Sequence, residues 1–178
     1  MKIALTGGIA CGKSLLSQFL NELGVETLDA DDVVHEIIPD PDERRRIAAE
    51  VFADPEKRKA LEAKIHPIVK ERIDEWLENG TAGTSFQLRV AVIPLLFEVH
   101  WEKNFDIISC VVSKREKQIE RMVTTRLMTR AEAEARLAAQ LPVEEKAKRS
   151  HYVIHNDGSP EELKAKAKAF VDWLRAKL

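Results

Sequence analysis

The sequence predicts a doubly wound α/β fold, in which a parallel five-stranded sheet is flanked by helices. The first observation is an apolar strand at residues 3–5 that leads through a glycine-rich turn into a helix with leucines at helical spacing. The second is that residues 87–93 and 105–113 are almost continuously apolar, as expected for parallel strands buried on both faces. The third is that strands and helices alternate along the chain. In such sheets ligands bind at the carboxyl ends of the strands.

Turn residues and hydrophobic periodicity define the other elements. Gly24 ends the first helix and precedes a strand at 25–28. Asp54 and Pro55 begin a long amphipathic helix that ends near residues 79–80, and Pro67 should bend or interrupt it. The remaining predicted elements are a helix after Asp32 that ends at 39–41, a charged helix at about 42–52, a loop at 80–84, helices at about 115–128, at 130–140 and after Pro142, a strand at 152–154, and a helix from Pro160.

The turn after the first strand has the spacing of a phosphate-binding loop. Gly7, Gly12, Lys13 and Ser14 fit the pattern G-x-x-x-x-G-K-S between a strand and a helix. Glycines let backbone N–H groups converge on an anion, and the helix N-terminus adds a positive dipole end. Lys13 is expected to reach the β- and γ-phosphates of a nucleotide, and the Ser14 hydroxyl to bind Mg²⁺. A plain glycine-rich turn is the less favoured alternative.

Composition predicts one globular domain. The 178 residues carry a net charge of −2, which argues against a general nucleic-acid or membrane-surface binder. The two cysteines, Cys11 and Cys110, do not suggest a disulfide framework, so a cytoplasmic location is expected. Residues 1–14 are a strand and a loop rather than a signal peptide, and the apolar runs are too short to cross a membrane.

Carboxylates follow the second strand, at Asp29, Asp31 and Asp32. A carboxylate opposite a γ-phosphate can accept a proton from an acceptor hydroxyl or hold Mg²⁺. Alternatively these residues cap the next helix. We favour a functional role for Asp31, leave the two readings open for Asp29, and expect Asp32 to be a solvated charge of the first turn.

The third strand ends in an apolar segment, residues 92–97, followed by Glu98. This hydrophobic wall beside a carboxylate could hold an apolar or aromatic part of a substrate. A corner of the core with a solvated glutamate explains the pattern at least as well.

Residues 114–149 are strongly basic, with ten Lys or Arg against six Glu. Arg121, Arg126, Arg130 and Arg136 lie on consecutive helical segments that bend near Thr129. In a phosphoryl-transfer enzyme such helices would close over the triphosphate and neutralise its charge. A solvated, salt-bridged surface is the alternative. We prefer that alternative for Arg130, and leave Arg126 and Arg136 open.

Other nucleotide-binding classes fit less well. The chain has neither the D-x-x-G segment nor the N-K-x-D signature of a GTPase, and motor or transport ATPases are usually far longer. The spacing of the five histidines does not predict a zinc site. A small-molecule kinase fits the size, the helical insertion and the arginine-rich helices.

Eight segments stand in an order that resembles the dephospho-CoA kinase family. They are residues 5–14, 29–31, 51–52, 65–67, 94–98, 118–121, 135–140 and 156–158, and together they span nearly the whole chain. The resemblance implies ATP-dependent phosphorylation of the ribose 3′-hydroxyl of dephospho-CoA, the last step of coenzyme A synthesis. It implies a single P-loop kinase domain over 1–178, with its core at about 1–30, 85–113 and 150–178. An acceptor-binding helical insertion would occupy about 31–80, and a helical lid about 114–149.

The resemblance also implies site residues. Asp31 would be the general base, while Lys13 and Arg136 would stabilise the transferred phosphoryl group, and Asn156 would lie near the adenine. The implied ATP-binding residues are Gly8, Ile9, Ala10, Cys11, Gly12, Lys13, Ser14, Leu15, Arg136 and Asn156. The implied acceptor-binding residues are Asp31, Arg44, His66, Leu95 and Glu98, and the implied Mg²⁺ ligand is Ser14.

The chain also departs from the family pattern. Family members usually carry a longer segment where this chain has only Ile38 to Arg44, which reduces the acceptor-binding part. Many relatives have an acidic residue at the position of Val92, so Mg²⁺ would depend more on Ser14 and Asp31. A related kinase with a nucleoside or nucleotide acceptor, or a non-catalytic ATP-binding module, are the alternatives. ATP and dephospho-CoA are the expected partners of a monomer or weak homo-oligomer.

Overall fold

A five-stranded parallel sheet forms the centre of the fold and confirms the predicted class. The computed structural model describes residues 1–79 and 88–177. The strand order is β2-β3-β1-β4-β5, so the strand that precedes the phosphate loop is central. The strands are β1 (Ile3–Gly7), β2 (Val25–Asp29), β3 (Leu88–Val92), β4 (Ile107–Val112) and β5 (Tyr152–His155).

The helices lie close to their predicted positions. They are α1 (Lys13–Glu22), α2 (Ala30–Ile37), α3 (Pro41–Ala53), α4 (Pro55–Asn79), α5 (Arg115–Arg126), α6 (Arg130–Ala138), α7 (Val143–Lys148) and α8 (Pro160–Arg175). One short 3₁₀ helix, Glu102–Asn104, was not predicted. The predicted loop at 80–84 and residue Gln87 of the third strand lie outside the described residues.

Helix α4 is continuous across Pro67, so Pro67 does not interrupt it, and the alternative of a bend stays a prediction. Proline removes one helical hydrogen bond but does not prevent the chain from continuing where packing favours the helix. The packing is provided by Val69 and Ile73, which are 3% and 2% exposed. The start of α4 is as predicted, because Asp54 Oδ1 accepts hydrogen bonds from the N–H groups of Glu56 and Lys57.

The chain divides into two compact units. One comprises Met1–Thr27 with Phe86–Leu178, and the other comprises Leu28–Ser85. In the second unit α4 packs against α2 and α3.

The main core lies in the first unit, around the sheet. Helices α1 and α8 contact each other, α8 packs on β5, and α7 packs on β4 and β1. Tyr152 of β5 lies between Phe170 and Trp173 of α8, with ring centroids 5.0 and 4.8 Å away. Strand β1 is paired on both sides, with Ile3 opposite Val90 and Ile107. This double pairing fixes the carboxyl end of β1, where the phosphate loop begins.

Candidate active site

The loop between β1 and α1 has the backbone expected of a phosphate-binding turn. Ala10 and Gly12 have positive φ angles of 57° and 94°, and the N–H of Cys11 donates to the Gly8 carbonyl at 3.3 Å. Ser14 is exposed in the first turn of α1. The loop therefore precedes a helix N-terminus, where backbone dipoles favour an anion.

Lys13 lies over the loop that precedes it. Its ammonium nitrogen donates to the carbonyl oxygens of Gly7 and Gly8, at 3.1 and 2.9 Å. These contacts hold a positive charge at the start of the loop. This position is consistent with the sequence prediction that Lys13 binds phosphate oxygens.

The next three loop carbonyls are held by side chains from outside the loop. Gln118 Nε2 donates to the Ile9 carbonyl at 2.7 Å, and Arg121 Nη1 donates to the Ala10 carbonyl at 3.1 Å. Asn156 Nδ2 donates to the Cys11 carbonyl at 2.9 Å. We call Gln118, Arg121 and Asn156 the carbonyl clamp. Together with Lys13, the clamp gives every carbonyl from residue 7 to residue 11 a side-chain donor.

The clamp sets the direction of the loop amides. A trans peptide points its C=O and the following N–H in opposite directions, and none of the described peptide bonds is cis. Lys13 fixes the carbonyl of Gly8, and the clamp fixes those of Ile9 and Cys11, so the N–H groups that follow them point to the opposite side. Converging backbone N–H groups of this kind form an anion-binding nest.

Two loop glycines are required by the close approach of the clamp. A Cβ on Gly12 would overlap the amide nitrogen of Asn156, and one on Gly8 would lie 2.6 Å from Gln118 Nε2. Gly12 also has the left-handed φ that glycine adopts at no steric cost. The clamp thus depends on glycine at positions 8 and 12.

A hydrophobic cluster supports the same loop. Ile119 and Met122 of α5 and Ala133 of α6 are buried together, and Ile9 and Ala10 pack against them. The predicted lid helices thus supply both polar and apolar support to the loop.

Both cysteines are buried thiols. Burial raises the pKa of Cys11, against the lowering effect of the nearby Lys13 ammonium. Burial, reinforced by Cys11, raises the pKa of Cys110 to about 12. Cys11 is fully buried, so its contribution to the loop is through its backbone.

Asn156, predicted near the adenine, is 6% exposed and belongs to the support of the loop. Its amide nitrogen is bonded to Cys11, and its carbonyl accepts from Ser113 Oγ and Arg121 Nη2 at 2.7 and 2.8 Å. These bonds join β4, α5 and the end of β5 beneath the loop. A contact between Asn156 and the adenine stays a prediction.

Glu98, predicted to bind the acceptor, forms a largely buried ion pair instead of standing alone. Its Oε1 lies 2.7 Å from Nζ of Lys146, which is fully buried, and accepts the N–H of Leu141 at 3.1 Å. Lys146 also donates to the Pro94 carbonyl at 2.8 Å. Glu98 Oε2 is buried without a partner among the described residues. The core-corner alternative holds for most of the apolar segment 92–97, because Val92, Ile93, Leu96 and Phe97 are buried, whereas Leu95 is 42% exposed.

The carboxylates after β2 have separate local roles. Asp29 Oδ1 accepts the N–H of Asp31 at 2.9 Å and caps α2, so the capping alternative holds for Asp29. Asp31 and Asp32 are exposed in the first turn of α2. The Asp31 carboxylate is therefore not the cap.

Two predicted acceptor residues lie in the second unit. Arg44 Nη1 donates to the carbonyls of Ile38 and Pro39, at 2.6 and 2.9 Å, and so fixes the turn between α2 and α3. His66 is half-buried on α4. Contacts of either residue with an acceptor stay predictions.

The arginines of α5 and α6 divide as follows. Arg130 pairs with Glu116 at 3.0 Å and with Glu134 at 3.1 Å, which confirms the surface role preferred for it. Arg136 is exposed on α6 and makes no hydrogen bond or direct ion pair with the described residues, although its charge acts on Glu132 one turn earlier. Arg126 is exposed at the end of α5.

A pocket of about 320 Å³ opens beside the loop. It is bordered by Gly8 and Ile9 of the loop, by Arg115 and Gln118 of α5, and by residues 137–138 and 140–144. Its wall combines side-chain amides, one guanidinium and one carboxylate with apolar side chains. That combination suits a nucleoside, which has polar edges and an apolar face.

Within residues 1–79 and 88–177, no cluster of three His, Cys, Asp or Glu side chains could hold a metal ion. Across the same residues, no helix is both long and apolar enough to cross a membrane.

Comparison with known proteins agrees with this geometry. A family model described as dephospho-CoA kinase matches residues 1–43 and 41–162. The chain belongs to the dephospho-CoA kinase family. The dephospho-CoA kinase of Synechococcus sp. (strain JA-3-3Ab) is 37% identical over 205 aligned positions, which cover 93% of this chain and 89% of the relative. The two stretches of the family match meet at residues 41–43, within the segment Ile38 to Arg44 where the sequence departs from the family.

Solved structures show the same fold. The crystal structure of TT1252 from Thermus thermophilus has a TM-score of 0.79 at 34% identity and covers 98% of this chain and 97% of that one. The dephospho-CoA kinase from Campylobacter jejuni has a TM-score of 0.74 at 23% identity over all of both chains, a likeness that bears on the fold alone. The resemblance to the dephospho-CoA kinase family, predicted from ordered segments, is confirmed.

Sequence reasoning did not identify two residues that the structure brings to the loop and its surroundings. Gln118 appeared only as part of a family segment, and Lys146 only as one of many basic residues. Lys146 offered no signal, because exposed and buried lysines look alike in a sequence. Gln118 offered one, since it precedes an apolar residue on the buried face of a predicted helix.

Proposed function

We propose that this member of the dephospho-CoA kinase family transfers the γ-phosphoryl group of ATP to the ribose 3′-hydroxyl of dephospho-CoA. The products are coenzyme A and ADP. The observation that carries this proposal is the family match, which extends over most of the chain and includes the loop described above.

The loop residues would hold the donor. Backbone N–H groups of residues 8 to 15 would surround the β- and γ-phosphates, as in other phosphate-binding loops. Lys13, now bonded to two loop carbonyls, would exchange one of these bonds for a phosphate oxygen. Its charge would then stabilise the negative charge of the transferring group.

Asp31 would act as the base toward the acceptor. Its exposed carboxylate would accept the proton of the 3′-hydroxyl as that oxygen attacks the γ-phosphorus, and the bond to the β-phosphate oxygen of ADP would break. Two observations support this role. Asp31 follows a strand of a parallel sheet, and the capping task is performed by Asp29.

The side-chain oxygen atoms of Ser14 and Asp31 suit Mg²⁺, although they do not form a complete set of ligands. Mg²⁺ is usually bound by one or two protein oxygens together with substrate phosphates and water, so the exposed Ser14 hydroxyl is a suitable ligand. Asp31 offers a further carboxylate. When bound, Mg²⁺ would neutralise charge between the β- and γ-phosphates.

Further residues would complete the site. Arg136 is exposed and has no ion pair with the described residues, so its guanidinium is available for the triphosphate. Arg44, His66, Leu95 and Glu98 are the proposed acceptor contacts. For Glu98 the contact would come from Oε2, because Oε1 is bound to Lys146 and Leu141.

We also propose a cytoplasmic location and a monomeric or weakly associated state. The two cysteines are free thiols, as is usual in a reducing compartment.

An ADP-release assay tests the function. The chain is incubated with Mg²⁺, ATP and either dephospho-CoA or one of a set of nucleosides, nucleotides and shikimate. We expect strong stimulation by dephospho-CoA alone, and a product that carries the new phosphate on the 3′-oxygen. Stimulation by a nucleoside in place of dephospho-CoA would reject the proposed acceptor and retain the kinase activity.

A further inference from the structure

The carbonyl clamp is attached to the loop at the points that determine its shape. Gln118 is 3% exposed, and its amide reaches the Ile9 carbonyl from α5, 109 positions along the chain. Removing this donor would leave a carbonyl oxygen of the loop without its bond. An unsatisfied carbonyl favours rotation of its peptide, and that rotation would turn the N–H of Ala10 away from an anion.

Arg121 makes three bonds to neutral groups. Nη1 donates to the Ala10 carbonyl and to Ser113 Oγ, at 3.1 and 3.0 Å, and Nη2 donates to the Asn156 carbonyl at 2.8 Å. No described carboxylate forms an ion pair with its guanidinium. Its positive charge is therefore directed to the phosphate loop without being neutralised by a neighbouring acid.

The same arginine holds the strained residue of the loop. Ala10 has a left-handed φ of 57°, a conformation that is unfavourable for a residue with a Cβ. The bond from Arg121 to its carbonyl, and the packing of Ala10 against α5 and α6, oppose its relaxation.

We propose that Gln118 and Arg121 are positioning residues for the phosphates of the donor. They act through the loop backbone, Gln118 by fixing peptide orientation and Arg121 by fixing Ala10 and adding positive charge. This inference rests on ATP as the phosphoryl donor, which belongs to the proposed function. It does not depend on the identity of the acceptor.

A phosphate compound that lacks a nucleobase separates this positioning role from a contact with the nucleoside. Inorganic tripolyphosphate has no nucleoside, so its affinity reports the phosphate-binding residues without a contribution from the pocket beside the loop. We compare wild type, Gln118→Met and Gln18→Met by calorimetric titration with tripolyphosphate and with ATP. Gln18 is exposed on α1 and provides the same chemical change away from the loop contacts.

We expect Gln118→Met to weaken tripolyphosphate and ATP binding by the same factor, about tenfold, as expected for one lost buried hydrogen bond. Gln18→Met should bind both as wild type does. Steady-state kinetics should show a raised KM for ATP with an unchanged KM for the acceptor. Unchanged tripolyphosphate affinity, or a rise in the KM of the acceptor alone, would overturn the inference and assign Gln118 to the pocket it borders.

Arg121→Lys and Arg121→Met provide a second test that does not depend on Gln118. Lysine keeps the positive charge but not the planar set of N–H donors of arginine. Arg121→Lys should therefore retain part of the tripolyphosphate affinity that Arg121→Met loses. The binding constant of Arg121→Met should also depend less on salt than that of wild type. Equal affinity of the two variants would reject the role of the charge. If the wild-type protein itself does not bind ATP, that result rejects the proposed function and not the positioning role of Gln118 and Arg121.

Discussion

At the scale of single residues, neighbouring carboxylates of the same helical turn have different tasks. Asp29 caps α2 through the N–H of Asp31, whereas Asp31 and Asp32 are exposed in the first turn. Chemical similarity therefore does not decide which of them acts on the acceptor. A substitution that keeps size and removes charge can decide it.

We expect Asp31→Asn to lower kcat by about 100-fold or more while ATP still binds, because an amide does not accept the hydroxyl proton. Asp32→Asn, in the same turn, is the matched control and should retain near-normal turnover. The measurements are steady-state kinetics with dephospho-CoA and calorimetric titration with ATP. Normal turnover of Asp31→Asn would remove this residue from the mechanism.

The Cys110 thiol should make stability depend on pH at alkaline values. Burial raises its pKa from the ordinary thiol value of 9.0 to about 12, so the unfolded chain loses this proton at lower pH than the folded chain does. The stabilisation is thus complete below pH 9 and is lost as pH rises from about 9 to about 12. We expect the urea-unfolding free energy of Cys110→Ala to fall less steeply over this range than that of wild type. Parallel curves would contradict the assignment.

At the scale of elements, α7 is attached to the segment after β3 by one buried ammonium group. Lys146 is fully buried and binds both Glu98 Oε1 and the Pro94 carbonyl, and Glu98 in turn binds the N–H of Leu141. Since α5 is fixed to the loop by the carbonyl clamp, only α6 and its flanking links remain for a hinged movement. The predicted lid should therefore be smaller than residues 114–149.

We expect Lys146→Ala to lower the free energy of unfolding by about 3 kcal/mol or more, because it leaves the largely buried Glu98 carboxylate uncompensated. The double variant Lys146→Met with Glu98→Leu should recover part of that loss. Lys148→Ala, which breaks an exposed pair with Glu145, is the control and should change little. Urea denaturation measures all three. If Lys146→Ala and Lys148→Ala lowered the free energy of unfolding equally, the buried ion pair would matter no more for stability than the exposed one.

At the scale of the whole molecule, the two units differ in how much apolar surface they bury. The described part of the second unit has four buried apolar residues, Ala30, Val33, Val69 and Ile73, whereas the first unit contains the large core around the sheet. Helix α3 has no buried side chain among those described. Local opening requires the least free energy where few apolar contacts are lost.

Hydrogen exchange should therefore be uneven. We expect the amides of α3 to exchange at least about 100-fold faster than those of α8 under native conditions. Helix α8 is the internal control, since it is of similar length and buries five apolar side chains. Mass spectrometry of peptic fragments gives both rates. Equal protection of the two helices would contradict this view of the second unit.

Local features of this molecule were predictable from sequence, and distant pairings were not. The strand, glycines and helix around residues 3–23 follow from adjacent residues, and so do the cap at Asp54 and the helix start at Pro160. The bond from Gln118 to Ile9 joins residues 109 positions apart, and that from Asn156 to Cys11 joins residues 145 apart. Periodicity carries no information on such pairs. For the same reason the ion pair of Glu98 was not predicted.

Residues 10 and 121 have a consequence for the order in which this sequence can change over generations. Alanine at position 10 is tolerated in a left-handed conformation while Arg121 holds its carbonyl. Loss of the arginine first would leave the strain of alanine without that support, whereas glycine at position 10 removes the strain. The order of the two substitutions, glycine at position 10 and the replacement of Arg121, therefore matters. A lineage that replaces Arg121 is expected to have acquired glycine at position 10 beforehand.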